Sequence, residues 1–249
     1  MYQVGIDIGS SAAKTVVLRD GEVWKTMEMA TGFSSRKTAD EIYEWLEKEQ
    51  VAGEGTRDGA TGYGRVSVPY ADKVITEITC HGKGAWKLFG KDGVVIDIGG
   101  QDTKGIVLKS GRVMKFVMND KCSAGTGKFL EVMTNRLGLT QKELSELASQ
   151  GKDVTISSMC TVFAESEVIS LIGKGTSRED IAYGVVESVA VKVAQLISQL
   201  GGNHYFLTGG LCEDEYVISR LSHALNAPVE SMPLARYAGA IGAALLSGE

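Results

Sequence analysis

The sequence repeats itself at a spacing of 90 residues, and this repeat restricts the folds that are open to the chain. Residues 6–23 (IDIGSSAAKTVVLRDGEV) and 96–113 (IDIGGQDTKGIVLKSGRV) match at half of their positions without a gap. Each copy reads as an apolar strand ending in Asp-Ile-Gly, a turn, a second apolar strand, a glycine turn and the start of a third strand. The glycine turns, Asp20-Gly21 and Ser110-Gly111, are typical of β-hairpins. Two copies in register predict an α/β protein built from two lobes of one topology.

The segments outside the repeat show the apolar spacing of amphipathic helices. We expect helices over 37–50, 125–137, 140–149, 177–200 and 236–247, and a buried strand over 204–208. Thr140 and Glu143 form a capping-box pattern at the start of one of these helices. The predicted lobes are residues 1–92, joined by the C-terminal helix at about 236–249, and residues 93–235.

Composition argues against two classes of partner. The chain has 26 Lys and Arg against 31 Asp and Glu, a net charge of −5, whereas nucleic-acid-binding proteins need a basic face. It has no apolar run of about 20 residues, and MYQVGIDIGSS reads as a first strand rather than an export signal. We therefore expect a cytoplasmic protein with no nucleic-acid partner and no membrane partner.

The two Asp-Ile-Gly turns are the main chemical signal in the sequence. A strand delivers Asp7 or Asp97 to its end, and the following small residues expose backbone N–H groups to an anion. Two carboxylates near a triphosphate can hold hydrated Mg²⁺ and position water for attack on the γ-phosphoryl group. The predicted phosphate-binding residues are Gly9, Ser10, Ser11, Ala12, Ala13 and Lys14 in the first turn, and Gly99, Gly100 and Gln101 in the second.

A third glycine turn follows the predicted buried strand over 204–208. Leu207-Thr208-Gly209-Gly210 would admit a flat adenine or an α-phosphate, because glycine leaves the backbone open to close approach. Gly209 and Gly210 complete the set of residues predicted to bind ATP or ADP.

The chain contains four cysteines, none of them in a C-x-x-C pair. A reducing cytoplasm disfavours disulfides, which leaves core thiols or metal ligands as open alternatives. Cys122 and Cys160 each appear ahead of a predicted helix, whose N-terminus would stabilise a thiolate. For Cys80 and Cys212 we favour a structural role.

Two smaller features lie beside these cysteines in the sequence. Cys80 is read at a strand end, which would turn its side chain away from that of His81 and argue against a Cys-His pair. Glu165 and Glu167 are left with two interpretations, a solvated helix face or a relay of nucleotide state to the Cys160 segment.

The whole chain resembles a known protein family. The three turns are similar to the nucleotide site of the superfamily of acetate and sugar kinases, Hsp70 and actin. The rest resembles the activators of 2-hydroxyacyl-CoA dehydratases, in the family that also holds the ATPase subunits of benzoyl-CoA reductase. The matching blocks are TGYGR (61–65), ADKVITEITCHGKGA (71–85), VIDIGGQDTK (95–104), MNDKCSAGTGKFLEVM (118–133), SSMCTVFAESEVIS (157–170), LTGG (207–210) and GAIGAAL (239–245).

This resemblance implies a function. The fold would be two actin-like, ribonuclease H-like lobes with a nucleotide cleft between them. Cys122 and Cys160 from each subunit of a homodimer would bind one oxygen-sensitive [4Fe-4S] cluster. ATP hydrolysis would drive transfer of a low-potential electron, received from ferredoxin or flavodoxin, to a client dehydratase. Two alternatives stay open, namely the same machine serving another iron–sulfur reductase such as a double-cubane protein, and a small-molecule kinase.

Overall fold

A computed structural model describes residues 2–157 and 160–249, so that Met1 and the two residues before Cys160, Ser158 and Met159, lie outside the description. The strands are β1 (Tyr2–Ile8), β2 (Ala12–Arg19), β3 (Glu22–Ala30), β4 (Thr56–Thr61), β5 (Lys73–Val74), β6 (Gly93–Ile98), β7 (Thr103–Lys109), β8 (Arg112–Asn119), β9 (Tyr205–Gly209) and β10 (Val229–Glu230). The α-helices are α1 (Ser35–Lys48), α2 (Glu77–Phe89), α3 (Gly127–Leu137), α4 (Gln141–Ala148), α5 (Thr161–Gly173), α6 (Arg178–Ile197), α7 (Glu215–Leu225) and α8 (Ala238–Ser247).

The strands form two five-stranded sheets of one topology. The first has the order β3-β2-β1-β4-β5 and the second β10-β9-β6-β7-β8, which is the same sequence of strands read from the opposite edge. In the first sheet β1 pairs antiparallel with β2 and parallel with β4, as expected for a hairpin joined to a crossover strand. The prediction of a duplicated α/β fold is therefore confirmed.

The hairpin turns have the backbone that the sequence predicts. Asp20 and Gly21 have φ of 52° and 83°, and Ser110 and Gly111 have φ of 48° and 74°. Positive φ at both central residues is the mark of a type I′ turn, whose twist matches that of the flanking strands. The two copies of the repeat thus fold alike at the residues where they differ in sequence.

The helices expected from periodicity are present, with ends shifted by a few residues. Thr140 caps α4 in a complete capping box with Glu143, as the sequence predicts. The Ser177 side chain caps α6 by accepting from the N–H of Asp180. One expectation is wrong, because Cys80 lies within α2 rather than at a strand end.

The chain divides into two compact units. The first comprises Met1–Val95, Ile106–Phe116 and Pro233–Glu249, and the second comprises Ile96–Gly105 and Val117–Met232. The predicted boundary between residues 92 and 93 stays a prediction.

Helices α1 and α8 each pack into a core cluster of the first unit. One cluster joins Val4, Ile6 and Ile8 of β1 to Ile42 and Leu46 of α1. The other joins β2 to the small-residue helix α8; its members are Val16, Leu18, Ala240, Ile241 and Ala244. Alternate residues of β2 therefore serve different clusters, as the period of a strand requires.

The core of the second unit is centred on α6 and β9. Strand β9 is buried at every residue, which is typical of a strand covered on both faces. Helix α6 buries eleven of its twenty residues, so it lies in the interior rather than on the surface. Within the described residues, we find no helix that combines the length and the apolar character needed to cross a bilayer.

Candidate functional site

The first Asp-Ile-Gly turn is held by hydrogen bonds on its inner side and is open on the other. The N–H of Gly9 donates to the carbonyl of Ala12 at 3.1 Å. Thr31 donates its hydroxyl to the carbonyl of Gly9 at 2.7 Å and its N–H to the carbonyl of Ser11 at 3.0 Å. Ser10 and Ser11 are exposed. A fixed backbone with exposed serine residues is an arrangement that can receive an anion.

The flanking residues of this turn have different surroundings. The side chain of Ala13 is fully buried in the core, so only its backbone is available to a ligand. Lys14 pairs with Asp7 across the β1–β2 ladder, which places the two side chains on one face of the sheet. Ala12 begins β2.

The carboxylate of Asp7 occupies a space that a side chain at position 62 or 239 would fill, and both positions are glycine. Its carboxylate is 4.0 Å from Nε2 of His81, and both side chains are largely buried. A Cβ on Gly239 would lie 2.3 Å from Oδ2 of Asp7, and one on Gly62 would lie 2.5 Å from Oδ1. The predicted catalytic carboxylate thus has a histidine neighbour on α2, a contact that the sequence did not predict.

The second carboxylate, Asp97, belongs to a buried charged cluster. Lys104 Nζ is 3.4 Å from Oδ2 of Asp97 and 2.9 Å from the carboxylate of Asp102. The hydroxyl of Thr208 lies 3.1 Å from Oδ1 of Asp97. All four residues are at most 5% exposed. Two carboxylates against one ammonium group leave a net negative charge, which favours a hydrated cation nearby.

Three members of this cluster were not singled out by the sequence prediction. Lys104 is the counterpart of Lys14 in the repeat, so the alignment of the two copies already pointed to it. Thr208 lies in the predicted third glycine turn but was not predicted as a site residue, and Asp102 had no counterpart in the first copy of the repeat. The cluster forms because β6, β7 and β9 are neighbours in one sheet.

A glycine turn lies close to each of the two carboxylates, Asp7 and Asp97. Gly62 after β4 has φ of 86°, and Gly209 at the end of β9 has φ of 85°. A Cβ on Gly62 would lie 2.4 Å from the carbonyl oxygen of Ile8, and one on Gly209 would lie 2.5 Å from that of Ile98. Both positions therefore require glycine. The shared Thr-Gly pair at 61–62 and 208–209 is a second mark of the duplication that sequence reasoning missed.

The remaining predicted nucleotide residues are accessible. Gln101 and Gly210 are exposed, and nothing lies within 4 Å of a Cβ added to Gly210. The carbonyls of Gly99 and Gly100 accept from the N–H groups of Gly127 and Lys128, at 2.9 and 2.8 Å. The second turn is therefore bonded directly to the beginning of α3.

The two cysteines predicted as metal ligands are exposed. Cys160 is the N-cap residue of α5, as expected. Cys122 does not open a helix, because the N-cap of α3 is Thr126, four residues later. The intervening Gly125 has φ of 83°, so the chain turns before the helix can begin.

A hydrogen bond joins the two cysteine segments. The hydroxyls of Ser123 and Thr161, each directly after a cysteine, lie 2.7 Å apart. Lys192 on α6 lines the same cavity as Cys122. Burial lowers the pKa of Lys192, and negative charge on Cys122 and on Cys160 opposes that lowering. Both thiols and Lys192 therefore share one neighbourhood.

Comparison with known proteins identifies the family. Residues 4–247 match the BadF/BadG/BcrA/BcrD ATPase family. This chain belongs to that ATPase family. The resemblance found in the sequence blocks is thereby confirmed.

Individual members and neighbours agree with this assignment. The (R)-2-hydroxyglutaryl-CoA dehydratase activating ATPase of Acidaminococcus fermentans is 44% identical over 250 residues, which cover 98% of this chain and 96% of that protein. The activator of the 2-hydroxyisocaproyl-CoA dehydratase from Clostridium difficile, with bound ADPNP, gives a TM-score of 0.92 at 36% identity and covers 99% of this chain and 94% of its own. A ROK family glucokinase from Streptomyces griseus shares the fold alone, with a TM-score of 0.65 at 17% identity over 99% of each chain.

The other two cysteines of this ATPase are buried. Burial raises the pKa of Cys80 to about 12, so its thiol stays protonated and poorly nucleophilic. Cys212 is 1% exposed, in the turn after β9. No disulfide joins any of the four cysteines, all of which lie in the described ranges.

The two glutamates after Cys160 make specific contacts. Glu165 accepts from the guanidinium of Arg136 on α3, with Nε at 2.9 Å. Glu167 accepts from the backbone N–H and the hydroxyl of Ser157 at 3.1 Å. Both glutamates thus tie α5 to neighbouring segments, which neither of the two interpretations from sequence had specified.

Proposed function

We propose that this chain is an ATP-hydrolysing electron donor that activates a 2-hydroxyacyl-CoA dehydratase. The observation that carries the proposal is the hydrogen bond between Ser123 and Thr161, because it brings the segments of both exposed cysteines together in a member of an ATPase family. A close relative over its full length is itself a dehydratase-activating ATPase.

The nucleotide would be held by the three glycine turns. In this proposal, the exposed N–H groups of the turns after β1 and β6 receive phosphates, and Gly209-Gly210 faces the adenosine end. Mg²⁺ would be held through water by the carboxylates of Asp7 and Asp97, which are the hard oxygen ligands that this ion prefers. Asp7, with His81 4.0 Å away, would orient the attacking water.

The donor set at the cysteine segments fits an iron–sulfur cluster shared by two chains. Cys122 and Cys160 offer two exposed thiols, and the N-terminus of α5 and Lys192 supply positive potential for thiolates. A [4Fe-4S] cluster needs four thiolates, so a second copy of the chain would complete the set. Among the described residues, no group of three or more His, Cys, Asp and Glu side chains is placed to hold a metal ion. When bound, the cluster supplies one-electron chemistry.

The direct test is reconstitution of electron transfer under anaerobic conditions. Purified protein is reduced with ferredoxin or flavodoxin and mixed with a 2-hydroxyacyl-CoA dehydratase and its substrate, with and without Mg-ATP. We expect dehydration with ATP, and background rates with ADP or with the non-hydrolysable analogue. The Asp97→Asn variant serves as the control for ATP turnover, and Cys160→Ser for electron supply.

Two outcomes would overturn the proposal in different ways. Iron-free protein after careful reconstitution, together with phosphorylation of a sugar or an acid, would make the chain a small-molecule kinase. An iron-containing protein that reduces a double-cubane reductase but no dehydratase would keep the electron donor and change its client.

A further inference from the structure

Asn119 encloses the turn that carries Cys122. Its side-chain Nδ2 donates to the carbonyl of Cys122 at 2.8 Å and to that of Ala124 at 3.1 Å. Its Oδ1 accepts from the backbone N–H of Cys122 at 3.2 Å. One amide group therefore satisfies both backbone groups of Cys122, and the thiol side chain is left exposed.

The same turn is fixed at its far end by buried groups. Thr126, which is fully buried, donates its hydroxyl to the carbonyl of Ser123 at 2.6 Å. Thr103, also buried, donates to the carbonyl of Gly125 at 2.7 Å. These two bonds hold residues 123–125, so the orientation of Cys122 itself depends on Asn119.

We propose that Asn119 is a positioning residue that sets the direction in which Cys122 presents its thiol to the iron–sulfur cluster. The inference rests on the proposed function, since it assumes that Cys122 is a ligand. Residues that orient a ligand without touching the metal commonly change metal affinity about 10- to 100-fold when they are replaced.

The chemistry of the amide explains why this residue is suited to the task. An aspartate has the same shape and can accept from the N–H of Cys122, but it has no hydrogen to donate to the two carbonyls. The negative charge of the aspartate would also lie beside the carbonyl oxygen of Cys122 and near the negatively charged thiolate of the same residue. An alanine would remove all three bonds and leave the turn held only at residues 123–125.

The test compares Asn119→Asp and Asn119→Ala with wild type and with Asn203→Ala, a change at an exposed residue before β9. Iron loss to a chelator, the midpoint potential and the electron paramagnetic resonance spectrum of the reduced cluster are measured, together with thermal unfolding of the apo-protein. We expect iron to be lost about 10- to 100-fold faster in both Asn119 variants, with an altered spectrum and potential. A merely structural role would lower the unfolding temperature of the apo-protein and leave the spectrum and the midpoint potential of the cluster unchanged.

The outcomes separate this inference from the function on which it rests. If wild type and Asn203→Ala hold iron and both Asn119 variants hold it equally firmly with the same spectrum, Asn119 is not a positioning residue. If wild type never holds iron, the proposed function itself fails. A faster loss in Asn119→Asp alone would also overturn the inference, because it would indicate charge repulsion rather than loss of the three bonds.

Discussion

Asp97 is deeply buried and has charged neighbours, and in the proposed function it is also a catalytic residue. It shares Lys104 with Asp102, accepts from Thr208, and is only 3% exposed. A carboxylate in such a place is held in one orientation, which is the preorganisation that phosphoryl transfer requires. Asp7, at 14% side-chain exposure, is the more accessible of the pair.

Replacing Asp97 by Asn should therefore affect turnover more than binding. The amide is isosteric but neutral, so it leaves Lys104 paired with Asp102 and removes the charge that would hold Mg²⁺. We expect the rate of ATP hydrolysis to fall by about two to four orders of magnitude. Steady-state phosphate release and nucleotide titration measure the two effects separately. Asp40→Asn, an exposed change on α1, is the matched control, and wild-type turnover in Asp97→Asn would remove this carboxylate from the mechanism.

For Asp58, we expect burial of the carboxylate to affect the stability of the protein rather than ATP hydrolysis. Burial, followed by repulsion from Asp72, raises the pKa of Asp58 from 3.8 to about 6. The Oδ1 atom of this carboxylate is buried with no hydrogen-bond partner among the described residues. Ionising Asp58 in the folded protein is therefore unfavourable.

The stability of the chain should fall as this carboxylate ionises. The folded state binds the proton of Asp58 more tightly than the unfolded state does. Protonation of Asp58 therefore stabilises the folded state fully below about pH 4, and this stabilisation is lost as the pH rises to about 6. We expect Asp58→Asn to raise the free energy of unfolding at pH 7 by about 1–2 kcal/mol and to make no such difference at pH 4. Urea unfolding at both values measures this, and an equal effect at both would contradict it.

At the scale of elements, α2 and α8 pack against each other at positions that are occupied by glycine. A Cβ on Gly84 of α2 would lie 1.8 Å from the carbonyl oxygen of Ala238, and one on Gly242 of α8 would lie 1.8 Å from that of Cys80. The helices can approach this closely only because neither position carries a side chain.

Gly84→Ala should therefore destabilise the protein, although it favours an isolated helix. Alanine contributes about 1 kcal/mol in an exposed helix interior, but here its methyl group must displace backbone. We expect a net loss of about 3 kcal/mol or more in the free energy of unfolding. Gly173→Ala at the end of α5 is the control, since nothing lies within 4 Å of its added Cβ. Similar stabilities of the two variants would show that α2 can shift away from α8.

This crossing also explains which helices could be predicted from the sequence. Helices α4 and α6 carry their own start signals, a capping box at Thr140 and a serine cap at Ser177. Helix α2 contains Gly82 and Gly84, which weaken helix propensity, and it was missed for that reason. Its small residues serve contacts with other elements, and local sequence does not report such contacts.

The candidate site, too, could be predicted only where a pattern in the sequence reports it. The repeat identified Asp7 and Asp97 because the two copies match in sequence. Lys104 could have been found in the same alignment, whereas Asp102 and His81 are brought to the carboxylates by the sheet and by α2. The contact of Ser123 with Thr161 spans 38 residues and depends on how α3 and α5 pack, which no local pattern encodes.

At the scale of the whole molecule, the four cysteines separate into two classes. Cys122 and Cys160 are exposed at neighbouring segments, whereas Cys80 and Cys212 are buried. Exposed thiols are open to oxidation unless they bind a metal or another group. A cluster completed by a second chain would account for both the exposure and the pairing.

Cluster and assembly should therefore be lost together. Since each chain contributes two thiolates, we expect about two irons per chain in a dimer, measured as iron content and mass by light scattering. Cys122→Ser or Cys160→Ser should abolish the iron and weaken the dimer, because a metal that bridges two chains stabilises the assembled state.

The matched variants are Cys80→Ser and Cys212→Ser, whose side chains are buried. They should keep the iron and the mass of wild type, at some cost in stability because each places a hydroxyl in the core. ATP binding should survive in Cys122→Ser and Cys160→Ser, since the glycine turns do not involve either thiol. Chelation or air should convert wild type to the mass of the Cys122→Ser protein. A chain that binds four irons as a monomer would refute the shared cluster, because one chain would then complete the site without its partner.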